Sequence, residues 1–280
     1  MSAEDRLALQ REIAATLGVT DTFDAAAEIE RRVVFLADYL TRMGLSSYVL
    51  GISGGVDSLT AGCLAQRAVE RIRQQGGQAR FIAMRLPYGT QADEHEAQAS
   101  LAVIKPDQVV TVNIKPAADA MIAAVKTGDI AFRDAAHEDF TLGNIKARQR
   151  MIAQYAVAAA HHGLVIGTDH AAEALMGFYT KFGDGAADLL PLSGLNKRRV
   201  RACAKDLGAP DELVYKVPTA DLETLAPQKP DEAAFGITYE EIDDFLEGKP
   251  VSDTSAEVIL RTYRNTAHKR ALPVEPPPAS

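Results

Sequence analysis

Tryptophan is absent, cysteine occurs twice, and aromatic residues make up only 6% of the 280-residue chain. The two cysteines, Cys63 and Cys203, are too few for a disulfide framework and lack the paired spacing of a zinc site, so both read as small core side chains. No apolar run approaches the roughly 18 residues that a membrane span requires, which excludes an integral membrane protein. The N-terminus, MSAEDRLALQREIAATLG, has no basic stretch leading into an apolar one, so a cytoplasmic protein without a secretory signal is expected. Lys and Arg total 30 against 38 Asp and Glu, a net charge of −8 that argues against a general nucleic-acid surface. Basic residues do cluster locally, in KARQR (146–150), NKRRVR (196–201) and HKR (268–270), as suits a small polyanionic ligand.

Apolar runs and helical periodicity alternate along much of the chain. Asp24 can cap a helix carrying Ile29, Val33, Leu36 and Leu40 on one face. Three strand–helix units follow, with strands at 48–52, 80–86 and 108–114 and helices at 59–75, 91–104 and 116–126. A loop at 127–142 leads to a long helix from Gly143 to Gly163, then a fourth strand, LVIGTD, and a mixed helix-and-loop region at 171–195. Helices are expected again at 196–208, 238–248 and 255–270, separated by a long loop at 209–237 that contains Pro210, Pro218, Pro227 and Pro230. Near-continuous apolar strands separated by helices predict a doubly wound α/β domain, a parallel sheet flanked by helices. No linker marks a second domain, so residues 1–273 read as one domain and 274–280 as a Pro-rich tail.

The sharpest local signal is LGISGGVDS at 50–58, between the first strand and its helix. Gly54 and Gly55 allow successive N–H groups to face one anion, Ser53 and Ser58 add hydroxyl donors, and a helix N-terminus points at the same place. Asp57 would repel a phosphate held there unless a cation lay between them, which argues for magnesium. Neither G-x-x-x-x-G-K-[ST] nor a strand-following G-x-G-x-x-G is present. Glu173, just beyond the fourth strand, is the natural second carboxylate for the metal. His170 and Glu173 form an i,i+3 pair with no further ligands at zinc spacing, so a zinc site is rejected, while His161 and His162 read as a polar helix end.

SGGVDS resembles the pyrophosphate-binding loop of the ATP pyrophosphatase group. Together with RLPYGTQADE, GNIKARQRMIAQY, IGTDHAAEALMGFYTKFGDGAADLLPLSGLNKRR, PTADL, YEEIDDFLEG and HKR, it makes residues 24–273 similar to the ammonia-dependent NAD synthetases. The resemblance implies adenylation of the nicotinate carboxylate of deamido-NAD by ATP, loss of pyrophosphate, and displacement of AMP by ammonia. It implies ATP contacts at Gly51, Ile52, Ser53, Gly54, Gly55, Val56, Asp57, Ser58, Arg85, Gln91, Thr168, Lys197 and Thr219, with Mg2+ on Asp57 and Glu173. Asp57, Glu173 and Lys197 carry the catalytic roles, Lys197 by neutralising the departing pyrophosphate.

For deamido-NAD the resemblance implies Arg148, Lys181, Asp188, His268 and Lys269; Tyr39 and Tyr155 read either as stacking on the nicotinate ring across a homodimer boundary or as packing on their long helices. Lys146 and Arg150 read as solvated neighbours of Arg148, and Arg199 and Arg201 as surface residues. Segment 221–234, polar and Pro-rich, is expected to be a lid ordered by ATP. Three features depart from the family pattern: GDGAAD in place of a second glycine pair, LSG before LNK, and a tail, PVEPPPAS, without the usual Trp-containing segment. The alternatives left open are another adenylating synthetase or a tRNA thiolase, and a non-catalytic nucleotide sensor.

Overall fold

The computed structural model describes residues 3–90, 93–219, 224–225 and 229–276. Helices α1 (Ala3–Thr16) and α2 (Ala25–Arg42) precede the first strand, and Asp24 caps α2 by accepting a hydrogen bond from the Ala27 amide. The strand–helix units are β1 (Ser47–Gly51), α3 (Val56–Gln74), β2 (Arg80–Arg85), α4 (Glu94–Ile104), β3 (Gln108–Thr111) and α5 (Lys115–Lys126). Next come α6 (Ala135–Ala160), β4 (Gly163–Val165), α7 (Ala171–Met176), α8 (Lys197–Asp206) and α9 (Asp211–Val214). The chain continues through α10 (Asp231–Phe235), α11 (Tyr239–Leu246), α12 (Asp253–Asn265) and α13 (Ala267–Arg270).

The four strands are parallel in the order β3-β2-β1-β4, with Val49 of β1 in register with Ile82 on one side and Val165 on the other. The chain builds outward from β1 through β2 to β3, then returns to the opposite side of β1 with β4. That reversal leaves a crevice beyond the carboxyl ends of β1 and β4, where ligands of open α/β sheets bind.

Alternation along the central strands divides the core. Tyr48, Leu50, Phe81 and Ala83 pack with α2, α3 and α8, whereas Val49, Ile82 and Met84 face the other way, against Ala158 and Ile114. A separate cluster, outside the sheet, joins Ile13, Leu175, Ile242, Phe245 and Ile259 from α1, α7, α11 and α12. Cys63 and Cys203 are buried and free, and burial raises both thiols to about 11, in keeping with a packing role.

The structure departs from the sequence-based elements where capping outweighs apolar periodicity. α6 begins eight residues before Gly143, at Ala135, because Asp134 accepts from the His137 amide and Glu138 lies in the favourable first turn. α3 begins at Val56, directly after Gly55. The expected loop 209–237 contains two short helices, α9 and α10, each entered from a proline, Pro210 and Pro230. Residues 221–223 and 226–228 of the expected lid lie outside the described residues, as does Gln91. α1 precedes the expected leading helix, and it buries Gln10 and Ile13.

Leu64, fully buried on α3 within the cluster shared by α2 and α8, tests this packing. Leu64→Ala should cost about 2–5 kcal/mol in urea unfolding followed by circular dichroism; a loss under about 1 kcal/mol would contradict a close-packed interface there.

Candidate active site

The loop after β1 is shaped by one backbone requirement. Gly54 has φ +87°, and a Cβ there would come within 2.9 Å of the Ala97 amide nitrogen on α4. Any side chain would meet backbone, so the close approach of loop and helix demands glycine. Gly55 then caps α3 without a side-chain hydrogen bond, leaving the first amides of a 19-residue helix directed at the cleft. Ser58 Oγ donates to the Gly55 carbonyl at 3.1 Å and lies 3.2 Å from Ser53 Oγ, tying the loop across its mouth.

Asp57, in the first turn of α3, meets Lys197, the first residue of α8: Lys197 Nζ donates to Asp57 Oδ2 at 2.8 Å. Lys197 is 1% exposed. Its backbone is fixed from two sides. Asn196 caps α8 by accepting from the Arg199 amide, and Asp243 of α11 accepts from the Lys197 amide at 3.0 Å and the Arg198 amide at 2.7 Å. The Tyr239 ring lies 4.8 Å from Nζ, a cation–π contact. Burial works against the ammonium, but the charges of Asp57 and Glu173 outweigh it and raise the Lys197 pKa.

His170 and Glu173, at the start of α7, complete the cluster. The His170 Nε2 atom is 3.5 Å from Asp57, 3.7 Å from Glu173 and 3.3 Å from Lys197 Nζ, and burial followed by the lysine charge lowers its pKa to about 3, so the imidazole is neutral. Burial also raises Glu173 well above the usual carboxylate range, helped by the Asp57 charge. Burial would raise Asp57 too, but the charge and hydrogen bond of Lys197 hold it below its ordinary value. Asp169 is pushed up to about 8 by burial and by Asp184 and Asp57, and Asp184 is raised by burial.

Donor atoms of Asp57, His170 and Glu173 lie within 4.8 Å of one another, and Asp57 Oδ1 is buried without a hydrogen-bond partner among the described residues. An orphaned carboxylate oxygen beside a second, desolvated carboxylate fits a hard divalent cation. His170, set aside as a zinc ligand on its spacing, sits inside the cluster, its neutral ring 1% exposed.

A cleft of about 430 Å³ opens over this cluster. Gly51, Ile52, Ser53, Gly55, Val56, Asp57, Ser58, Arg85, Thr168, Glu173, Lys197, Thr219 and Lys269 line it, whereas Gly54 packs against α4. Sequence reasoning missed Asp184, Gln154, Lys216 and Asp231, which also line it. For Asp184 a signal was available, the GDG turn, whose carboxylate accepts from the Thr180 amide at 2.8 Å.

The remaining expected residues fall into two hydrogen-bonded groups and one residue apart. Arg148 donates to the Lys181 carbonyl at 3.2 Å, Lys181 Nζ donates to the carbonyls of His268 and Ala271, and Lys269 Nζ donates to those of Gly177 and Tyr179. Tyr155 donates to Asp188 at 3.4 Å, and Asp188 also accepts from the Val165 amide. Tyr39 is apart from them on α2, packed with Phe35 and Arg42.

Three expected surface residues are otherwise. Lys146 is 4% exposed, donates to Thr224 Oγ1 and sits 4.2 Å over the Tyr88 ring. Arg150 lines the cleft and donates to the Leu86 carbonyl. Arg199, 6% exposed, packs over Phe23 and faces Glu247 at 3.6 Å.

Comparison with known proteins matches this architecture to named relatives. The chain is 65% identical over 273 residues to the NH(3)-dependent NAD(+) synthetase of Burkholderia pseudomallei, covering 98% of this chain and 96% of that protein. It is 65% identical over 276 residues to the Streptomyces coelicolor protein of the same name, covering 99% and 100%. The crystal structure of NAD+ synthetase from Burkholderia pseudomallei superposes with a TM-score of 0.85 at 63% identity, over 98% of this chain and 100% of that one. The model of the NAD synthase family matches residues 28–273, from early α2 to just beyond α13, and the chain therefore belongs to that family.

Proposed function

We propose that this protein is an ammonia-dependent NAD synthetase, a ligase that amidates deamido-NAD with ATP and ammonia in the cytoplasm. The observation that carries the reading is the buried Lys197–Asp57 pair at the mouth of a glycine loop whose amides open on the cleft. A non-catalytic sensor has no need of a lysine placed to take leaving-group charge.

In the first half-reaction a nicotinate carboxylate oxygen attacks the α-phosphorus of ATP; the bond to the β-phosphate breaks, pyrophosphate departs and an NAD-adenylate forms. The amides and hydroxyls of Gly51 to Ser58 hold the phosphates, with Thr219 beside them, while Arg85 and Thr168 bound the nucleoside. Lys197 stabilises the charge that gathers on pyrophosphate as the bond breaks. Asp57 and Glu173 would hold Mg2+, which when bound neutralises phosphate oxygens beside the loop. In the second half-reaction ammonia attacks the acyl carbon, AMP leaves, and the nitrogen loses a proton.

Deamido-NAD is assigned to Arg148, Lys181, Asp188, His268 and Lys269, with Tyr39 and Tyr155 completing a site shared between two copies in a homodimer. Support comes from Lys269, which lines the cleft, from the hydrogen bonds that join Arg148 to Lys181 and Lys181 to His268, and from the Tyr155–Asp188 pair at the end of β4. Tyr39, remote from its own chain's cleft, can act only on a partner's.

Purified protein with ATP, deamido-NAD and ammonium should yield AMP and NAD in equal amounts. Glutamine as sole nitrogen donor should give next to nothing, because both cysteines are buried in helices and neither can act as an amidase nucleophile; robust glutamine-driven turnover would refute the reading.

Asp57→Asn should lower adenylation by roughly 100-fold or more, on the scale of losing one electrostatic catalytic group, with partial recovery at high magnesium. Full activity of this variant at low magnesium would remove Asp57 from the metal site.

The two lysines should separate kinetically. Lys197→Ala is expected to reduce kcat chiefly, and Lys181→Ala to raise the KM for deamido-NAD more than that for ATP. Identical effects of both changes on both substrates would contradict the division of roles.

A further inference from the structure

Two buried polar side chains of α6 grip a part of the chain that the half-reactions above do not use. Asp139, 8% exposed, accepts from the Thr224 amide at 2.9 Å and from the Leu225 amide at 2.7 Å, one on each carboxylate oxygen. About two turns further along α6, Lys146 Nζ donates to Thr224 Oγ1 at 3.0 Å while resting 4.2 Å from the centre of the Tyr88 ring. Thr224 and Leu225 are themselves exposed, so polar contacts with α6, and not apolar burial, hold them in place.

The attachment links two parts of the cleft lining. Thr219, Lys229 and Asp231 belong to one part. Thr219 forms an antiparallel bridge with Pro230, and the Asp231 amide donates to the Pro218 carbonyl at 3.1 Å, so the chain leaves and returns at one point. Asp231 also accepts from the Tyr239 hydroxyl at 3.0 Å, and the Tyr239 ring is the one that faces Lys197. α6 supplies the other part, through Gly143, Asn144, Ala147 and Arg150. Between the two paired residues, Thr219 and Pro230, lie Thr224 and Leu225, fastened to α6.

The chemistry has a use for this fastening. Between the half-reactions the acyl-adenylate waits for ammonia, and water competes for the same acyl carbon. Its oxygen bonds to that carbon, the bond to the AMP phosphate oxygen breaks, and deamido-NAD and AMP leave with release of a proton. ATP is then consumed without an amide being formed, unless water is kept from the cleft.

We propose that Asp139, assisted by Lys146, is a positioning residue that fastens Thr224 and Leu225 to α6 and so keeps the cleft shut to water while the adenylate awaits ammonia. The assignment rests on the synthetase reading of the cleft.

The test compares full-length wild type with Asp139→Ala and with Thr224→Pro, which removes one amide and the hydroxyl from the exposed side of the contact without altering α6. AMP and NAD are quantified together at limiting ammonium, and deuterium uptake at the Thr224 and Leu225 amides is followed by mass spectrometry without ligands. In Asp139→Ala those amides should exchange roughly 10-fold or more faster, on the scale of a lost charged hydrogen bond. AMP should exceed NAD about twofold or more, the excess shrinking as ammonium is raised. A purely structural role would lower both products together and keep them equal. Equal AMP and NAD in Asp139→Ala at limiting ammonium would overturn the proposal, whatever the total activity. Should that variant not fold, Thr224→Pro decides: AMP in excess supports the assignment and equal products overturn it. A wild type that forms neither product, with faster exchange in Asp139→Ala, would instead sink the synthetase reading and leave the α6 anchor standing.

Discussion

The structure is organised around an ammonium ion placed where water cannot solvate it. Lys197 is 1% exposed, and burying such a charge costs several kcal/mol unless the surroundings replace its hydration. They do so with groups from four helices: Asp57 on α3, the His170 ring at the start of α7, the Tyr239 ring on α11, and the capped first turn of α8 itself. Each of these helices has to be packed before the lysine can be tolerated. The cluster uniting α2, α3 and α8 and the one uniting α7, α11 and α12 meet at this charge.

Asp243 illustrates how far the supporting arrangement extends. It never reaches Asp57 or the cleft, yet it satisfies two amides at the α8 N-terminus at the cost of its own desolvation, which pushes its pKa up to about 6. The cleft itself is electrostatically unfinished. Burial raises Glu173, Asp169 and Asp184, and the Asp57 charge adds to the first two, an arrangement that favours function through the cations and ligands it will accept and contributes little to stability.

The parts of this arrangement that depend on short-range sequence were legible. SGGVDS could be read as an anion loop because glycine, hydroxyl and helix start occur within six residues, and the parallel sheet was visible in four apolar strands. Lys197 and Thr219 entered only through family resemblance, since nothing local distinguishes them. Contacts made across the chain were invisible: Asp243 lies 46 positions from Lys197, and Arg199 looked like one more surface charge in a basic run until Phe23 and Glu247 closed over it. The early start of α6 was missed because a capping aspartate, and no apolar stripe, determines it.

The N-terminal helix shows that the unit defined by sequence pattern and the unit that is mechanically coherent need not coincide. The family match begins at residue 28, yet Gln10 of α1 donates to the carbonyls of Phe245 and Lys249 at the end of α11, and Ile13 is buried in the cluster that α11 shares. Just past α1, Gly18 abuts Gly194 so closely that a Cβ on the latter would lie 2.5 Å from the Gly18 carbonyl oxygen, three residues ahead of Lys197. The opening segment thus braces both α11 and the approach to α8. A boundary drawn at the start of the recognisable family pattern would keep every residue assigned to the chemistry and discard the buttress behind two of the helices that aim it.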